Sequence, residues 1–347
     1  MNPSFEIEGR FIGPDHPPLI IVEIGINHGG NLDIAKKMVD AAKSAGAEII
    51  KHQTHIVQDE MAGAAKKIQP INADTSIYEL MENCALNETD ERSLQSYCQE
   101  QGLTFISTPF SRGAADRLHD MNVPAYKIGS GEFNNIPLLR HIASFGKPMI
   151  LSSGMNDLES VRKTVAILEE LNAQYALLHC TNLYPTPPEL VRLGAIPEMI
   201  KAFPNAVIGL SDHTIDEVTC LGAVALGADI LERHFTDCKE RKGPDIICSM
   251  DPNELHRLIK GSHTLHKARG GSKSTLVEEK VTSDFAFASV VSVKPIGEGE
   301  FFSYENLWVK RPGIGEIPAR EYEELIGQKA SQDIPADTLL KRDHLLD

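Results

Sequence analysis

His213 and His234 have the most direct claim to chemistry in this chain. The first follows Ile208-Gly209-Leu210-Ser211-Asp212 and the second follows Ile230-Leu231-Glu232-Arg233, each closing a short strand-like run. Neighbouring strands lie about 4.8 Å apart, so two imidazoles at the ends of adjacent strands can share one divalent ion. The bland alternative is two unrelated polar residues in loops. Ser211, Glu232 and Asp245 nearby add oxygen donors and favour the metal. Imidazole and oxygen ligands suit Mn²⁺, Fe²⁺ or Zn²⁺, and an ion with open positions polarises a carbonyl.

Lys51 and Lys127 also end apolar runs, and Ser130, Ser152, Asn182 and Ser211 recur at equivalent places. Two ammonium groups among hydroxyls and an amide make a cradle for phosphate or carboxylate. The bland alternative is that one of the two lysines is a solvated loop residue. A sharper rival is a Schiff-base lysine of the barrel-aldolase kind, which needs a desolvated amine and no metal, against the histidine pair. Within Lys127-Ile128-Gly129-Ser130-Gly131-Glu132, Glu132 is placed either to move a proton or simply to face solvent.

Positioning these groups falls to eight apolar runs: 19–23, 48–51, 104–108, 125–130, 148–153, 175–182, 206–213 and 229–234. Segments long enough for a helix lie between them, as at 31–45, 88–101, 111–120 and 158–171. Strand alternating with helix predicts parallel βαβ units. Eight units close a (β/α)8 (TIM) barrel, whose chemistry sits at the C-terminal ends of the strands. A doubly wound open sheet is the structural alternative, but Gly25-Ile26-Asn27-His28-Gly29-Gly30 does not match its G-x-G-x-x-G turn.

With 347 residues the chain exceeds an ordinary barrel of about 250. Its character changes near residue 270, where helical periodicity gives way to short strand-like pieces (290–293, 307–310) and many turn residues. The expected organisation is a barrel over 1–270, a linker over 271–288 and a small loop-rich domain over 289–347. A net charge of −15 argues against nucleic acid or an anionic membrane as partner. No apolar stretch reaches the ~18 residues of a membrane span, and no signal-peptide core opens the chain. The six cysteines contain no C-x-x-C pair and read as reduced thiols of a cytoplasmic protein.

The stretches Glu23-Ile24-Gly25-Ile26-Asn27-His28, Lys51-His52-Gln53-Thr54, Thr108-Pro109-Phe110 and Tyr126–Glu132 resemble bacterial sialic acid (N-acetylneuraminate) synthases. So do His179-Cys180-Thr181-Asn182-Leu183-Tyr184-Pro185, Gly209–Thr214 and Glu232-Arg233-His234-Phe235, in the same order along the chain. The tail resembles that family's C-terminal antifreeze-like (SAF) domain, a small β-rich β-clip fold. The resemblance implies condensation of phosphoenolpyruvate with an N-acylated mannose. It implies Mn²⁺, with Mg²⁺ or Co²⁺ as alternatives, at His213 and His234. Phosphoenolpyruvate would be held by Lys51, Lys127, Ser130, Ser152, Asn182 and Ser211, and the sugar by Glu23, Gln53, Tyr184, Asp245 and Arg311. Glu132 is the expected proton carrier, with Glu23 and Glu232 as rivals and Lys51 also at the reacting centre. Arg311, in Val309-Lys310-Arg311-Pro312-Gly313, would enter the partner subunit's barrel, making a domain-swapped homodimer. N-acetylmannosamine is the expected acceptor. A 2,4-diacetamido-2,4,6-trideoxyhexose, giving legionaminic or pseudaminic acid, is the first alternative. A phosphorylated sugar is another, although no second basic cluster stands out to hold it.

Overall fold

The structure is a computed structural model that describes residues 2–70 and 74–346. It divides into two compact units, one up to Gly270 and one from Gly271. The first opens with a hairpin of β1 (Phe5–Ile7) and β2 (Arg10–Ile12), which pair antiparallel. Eight parallel strands follow: β3 (Leu19–Glu23), β4 (Ile49–Thr54), β5 (Thr104–Pro109), β6 (Tyr126–Ile128), β7 (Met149–Ser152), β8 (Tyr175–Cys180), β9 (Val207–Asp212) and β10 (Ile230–His234). They close into a barrel in chain order, with β10 pairing back onto β3. The strands read as unbroken apolar runs because a parallel barrel buries both of their faces; every residue of β3, β9 and β10 is buried.

The surrounding helices follow ordinary rules. The helix Leu32–Ala45 buries Ala35, Met38, Val39 and Ala42, one stripe of a 3.6-residue period. Asn31 caps its start by accepting from the Ile34 N–H at 3.0 Å. At its end Gly46 takes a left-handed φ of 100° that a side chain would disfavour. Gly209 answers a different constraint: a Cβ there would run into the Ile230 carbonyl and Leu178, so β9 fits only without a side chain at this point.

One core lies between barrel and helices, and a second fills the barrel itself. The hairpin residues Phe5, Ile7 and Ile12 join Leu19, Ile49, Val207 and Ile230 in the inner core. The hairpin thus stoppers the N-terminal end of the barrel, a plug absent from the sequence reading. Strands β8 and β9 are shorter than the runs 175–182 and 206–213. Asn182 and His213 therefore stand just beyond the ladder, where side chains are free to turn into the mouth.

In the second unit β11 (Ser289–Ser292) pairs antiparallel with β12 (Leu307–Lys310). Val290, Ile296, Phe302, Leu307 and Ile317 are among the residues of its small core. Residues 271–288, expected as plain linker, contain a 3₁₀ turn at Val277–Glu279 and a helix at Lys280–Ala286. Its Val277, Val281 and Phe285 remain exposed, so no buried stripe announced a helix. Among the described residues no helix is long and apolar enough to cross a membrane.

One buried carboxylate ties strand to helix. Glu91, fully buried on the helix Glu88–Glu100, accepts from Arg117 at 3.2 Å and from the Thr54 hydroxyl, and pairs with His52 Nδ1 at 3.2 Å. Burial alone would raise this carboxyl, but the His52, Thr54 and Arg117 contacts outweigh it and hold it below its usual range. A depressed folded value stabilises above the unfolded value of about 4.3 and is lost as pH falls through the folded one. Glu91→Gln is expected to cost about 2 kcal/mol at pH 7 and to flatten the fall of stability below pH 5. Urea titrations at pH 7, 5 and 3.5 measure both, and an unchanged pH slope would remove Glu91 from acid unfolding.

Candidate active site

Strict alternation along β4, β6, β9 and β10 sends one set of side chains to the barrel axis and the next to the helical layer. Lys51, Lys127, Ser211 and Glu232 all take the axial direction and meet on the floor of an open cleft of about 330 Å³. Lys51 Nζ lies 2.6 Å from Glu23 Oε2 and 3.5 Å from Glu232 Oε1. Lys127 Nζ approaches the same Glu232 oxygen at 3.6 Å and donates to Ser152 Oγ at 2.7 Å and to the Ile128 carbonyl at 2.8 Å. The Ser211 hydroxyl donates to Glu232 Oε1 at 3.2 Å.

These groups set each other's protonation. Burial alone would lower Lys51, yet Glu23 and Glu232 raise it above the ordinary lysine value. Lys127 is lowered by burial and by the Lys51 charge, with Glu232 pulling the other way. Burial would raise Glu232, but Lys127 and Lys51 bring it below the usual carboxylate range. The floor therefore sets two lysines against two glutamates.

Ser130 and Asn182 complete one side of the floor. The Gly154 N–H donates to Ser130 Oγ at 3.1 Å, and Cys180 Sγ donates to Asn182 Oδ1 at 3.4 Å. A Cβ at Gly154 would be driven into Asn182 and Ser130. Only glycine lets the loop after β7 approach both side chains so closely.

The histidine pair stands above this floor. The two rings are 5.4 Å apart between centroids, and the Tyr184 ring packs 4.1 Å from His213 and 5.9 Å from His234. His213 Nδ1 donates to the Thr181 carbonyl at 2.9 Å, which leaves Nε2 as the free lone pair. His234 Nδ1 is buried with no hydrogen-bond partner, its nearest acid being Asp245 Oδ2 at 3.6 Å. Burial, with Glu23 nearby, pushes the Asp245 carboxyl up to about 7, against the pull of His213 and Lys51. Two close imidazoles, one carrying an orphaned buried nitrogen, fit a divalent ion. Among the described residues no three His, Cys, Asp or Glu side chains gather as a complete ligand set.

The outer wall differs in character. Ile26, Met61, Ile77, Leu80 and Met81 line it, with Gln53, His55 and Glu60 as its polar members. Gln53 donates to Glu23 Oε1 at 2.7 Å and is held from behind by His55 Nε2 at 3.1 Å. His55 in turn stacks on Phe110 at 4.4 Å and contacts Glu60 at 2.8 Å. Nothing in the spacing of His55, Phe110 and Glu60 signals this support.

One expected residue of the barrel stands apart. Glu132 ends the 3₁₀ turn Ser130–Glu132, which swings it into an adjoining depression where Asn135 donates to it at 2.5 Å. That depression shares Glu60 and Phe110 with the cleft, but Glu132 does not line the cleft itself. Burial raises its carboxyl above the usual range, against the Asn135 hydrogen bond. Arg311 is exposed in the second unit. Conversely, Glu232 joins both lysines and Ser211, a role the sequence signals only as an axial position two residues before His234.

Comparison with known proteins places this geometry. Residues 38–274 match the NeuB family and residues 287–346 a SAF domain. The N-acetylneuraminate-9-phosphate synthase of Homo sapiens is 35% identical over 337 residues, covering 95% of this chain and 93% of that protein. The N,N'-diacetyllegionaminic acid synthase of Campylobacter jejuni is 35% identical over 331 residues, covering 93% and 98%. A solved structure of the N-acetylneuraminic acid (sialic acid) synthetase of Leptospira borgpetersenii, in complex with citrate, superposes with a TM-score of 0.75 at 30% identity. It covers 81% of this chain and 95% of that one. The barrel and the small β domain are therefore those of a sialic acid synthase architecture, and the chain belongs to the NeuB family, with a SAF domain at its C-terminus.

Proposed function

We propose that this protein is an N-acetylneuraminate synthase, joining phosphoenolpyruvate, open-chain N-acetylmannosamine and water into N-acetylneuraminic acid and phosphate. The observation that carries the reading is the convergence of Lys51 and Lys127 on one Glu232 oxygen, beside Ser152 and Ser211. An anionic substrate gains little from a chain of net charge −15, so its affinity must come from such a local, desolvated array.

The phosphate would take the place of carboxylates at the two ammonium groups, with Ser130, Ser152, Asn182 and Ser211 as neutral donors. Displacement from Lys51 frees Glu23, which with Gln53, Tyr184 and Asp245 would hold the acceptor's hydroxyls and N-acyl group. His213 and His234 would hold a divalent ion, Mn²⁺ in our reading, supplying Lewis acidity at the acceptor carbonyl. Carbon 3 of the enol then attacks aldehyde carbon 1, and a positive centre develops at carbon 2. Water adds there, and the tetrahedral species collapses with C–O cleavage to release phosphate. The new hydroxyl gains one proton and the attacking water loses one. Glu232 lines the cleft and Glu132 does not, so we move the proton transfer from Glu132 to Glu232.

Two features bear on the acceptor. Lys51 and Lys127 are the only lysines among the described residues that line the cleft, and no arginine joins them. Both belong to the phosphoenolpyruvate cradle, which favours an acceptor without a phosphate. The Campylobacter relative at 35% identity supports a second reading, a 2,4-diacetamido-2,4,6-trideoxyhexose as acceptor. Exposed Met155, Leu183, Ile215 and Ile247 lie in the segments that follow β7 to β10, and exposed Val218 opens the helix Val218–Ala225 after β9. They give a partner subunit an apolar landing around the mouth, consistent with Arg311 acting in trans within a homodimer.

The first test is phosphate release from phosphoenolpyruvate with Mn²⁺ and N-acetylmannosamine. Release is expected to need both and to stop with chelator; activity with only the diacetamido sugar would change the acceptor, and silence with every N-acylated sugar would end the reading. Glu232→Gln should lower kcat by about 10²- to 10⁴-fold and leave the KM for phosphoenolpyruvate unchanged or lower, because it removes a carboxylate that the phosphate displaces. Glu132→Gln should cost less than about tenfold, and the reverse ranking would return the proton role to Glu132. Arg311→Ala should raise the KM for the sugar while Mn²⁺ and phosphoenolpyruvate binding persist. Mixing it with an inactive Lys127→Ala chain should restore activity in heterodimers if the arginine acts in trans.

A further inference from the structure

Behind the two histidines lies a second charge pair that the proposed chemistry does not use. In the register of β9 and β10, Ser211 faces Glu232 and Asp212 faces Arg233. The first pair points to the axis, so Asp212 and Arg233 point the other way, into the helical layer. Arg233 is 1% exposed and Asp212 is 2% exposed. Their contact, Nη1 to Oδ2, is 3.5 Å. A plain ion pair would leave most of the guanidinium's donors idle. Here both Nη groups are spent on backbone carbonyls from two different loops, and only the buried Nε–H is left without a partner among the described residues.

Arg233 Nη2 donates to the Thr214 carbonyl at 2.6 Å and to the Cys248 carbonyl at 3.3 Å, and Nη1 donates to the Asp216 carbonyl. Thr214 immediately follows His213, and Cys248 closes the short turn that begins at Asp245. Asp212 grips the first loop from its own side, accepting from Thr214 Oγ1 at 2.7 Å and Thr219 Oγ1 at 2.9 Å. The same guanidinium therefore reaches the loop behind one imidazole and the turn behind Asp245, while its own backbone neighbour is the other imidazole. Five fixed donors in one plane can hold three carbonyls at once; an ammonium on a flexible stem cannot fix that geometry.

We infer that Arg233, braced by Asp212, is a positioning residue that sets His213, His234 and Asp245 relative to one another. It touches neither substrate nor ion, and it acts on the histidine side of the cleft rather than on the lysine floor. The inference rests on the proposed role of His213 and His234 as ligands. Mutations of groups that orient ligands commonly cost about 10- to 100-fold in metal affinity.

The test is Mn²⁺ binding by the whole protein without substrates, read from the electron paramagnetic resonance signal of free Mn²⁺. It is run on wild type, Arg233→Lys and Asp212→Asn, with thermal melting and calorimetric phosphoenolpyruvate binding alongside. The expected result is a folded R233K whose Mn²⁺ affinity falls about 10- to 100-fold, with phosphoenolpyruvate affinity within about twofold of wild type. D212N, which keeps an acceptor oxygen for the two threonines, should show a smaller loss in the same direction and covers the case of an R233K that does not fold. Wild-type Mn²⁺ affinity in R233K would overturn the clamp, because charge alone would then suffice. Parallel loss of Mn²⁺ and phosphoenolpyruvate binding would overturn it too, as a general loosening of the mouth. Absence of Mn²⁺ binding by the wild type would instead bring down the ligand reading beneath it.

Discussion

Two lysines buried in the mouth of a barrel are tolerable only because two glutamates lie among them. Stripping water from an ammonium costs several kcal/mol, and Lys51 and Lys127 are respectively 5% and 1% exposed. Glu23 and Glu232 offset that cost at Lys51, which ends up more basic than in water, and only part of it at Lys127. The arrangement is consequently poised rather than committed. An incoming dianion does not have to create a charge contact where none existed; it has to exchange places with a carboxylate already there. In the proposed function selectivity would follow from this exchange, because a ligand of lower charge would compete poorly with Glu23 and Glu232 for the same ammonium groups.

The same strands carry polar groups on their other face. Lys51 and Gln53 turn toward the cleft, while His52 and Thr54, alternating with them, turn outward and are held by Glu91. Ser211 and Glu232 turn inward, and Asp212 and Arg233 outward. A polar cluster in the helical layer is costly unless every member is paired, and these are nearly so. Strand ends β4, β9 and β10 are thus fixed from outside by directional contacts rather than by apolar packing alone. A mouth that must hold charges at set distances gains from that stiffness.

The barrel was legible because each strand is an apolar run closed by polar residues. A parallel strand buried on both faces must look that way. The floor residues Lys51, Lys127, Ser152 and Ser211 were legible for the same reason. What the runs could not convey was lateral: that Glu232 lies between both lysines depends on register across strands, which no single stretch contains. Glu132 lies in the adjoining depression, and spacing does not report the 3₁₀ turn that carries it there. The plug went unread because Phe5–Ile7 and Arg10–Ile12 are three-residue strands that make sense only against a barrel already formed. The helix 280–286 went unread because its apolar side chains are not buried by any partner within the described chain's own core.

That plug also decides traffic. With the far end sealed by Phe5, Ile7 and Ile12, the cleft is a cul-de-sac with one doorway. Whatever sits on the lysines at the bottom must arrive before the molecule that lies over it, and must leave after it. In the proposed reaction, queueing would then be written into the architecture: the deeper reactant would enter first, and the fragment it leaves behind on the floor would be the last to depart.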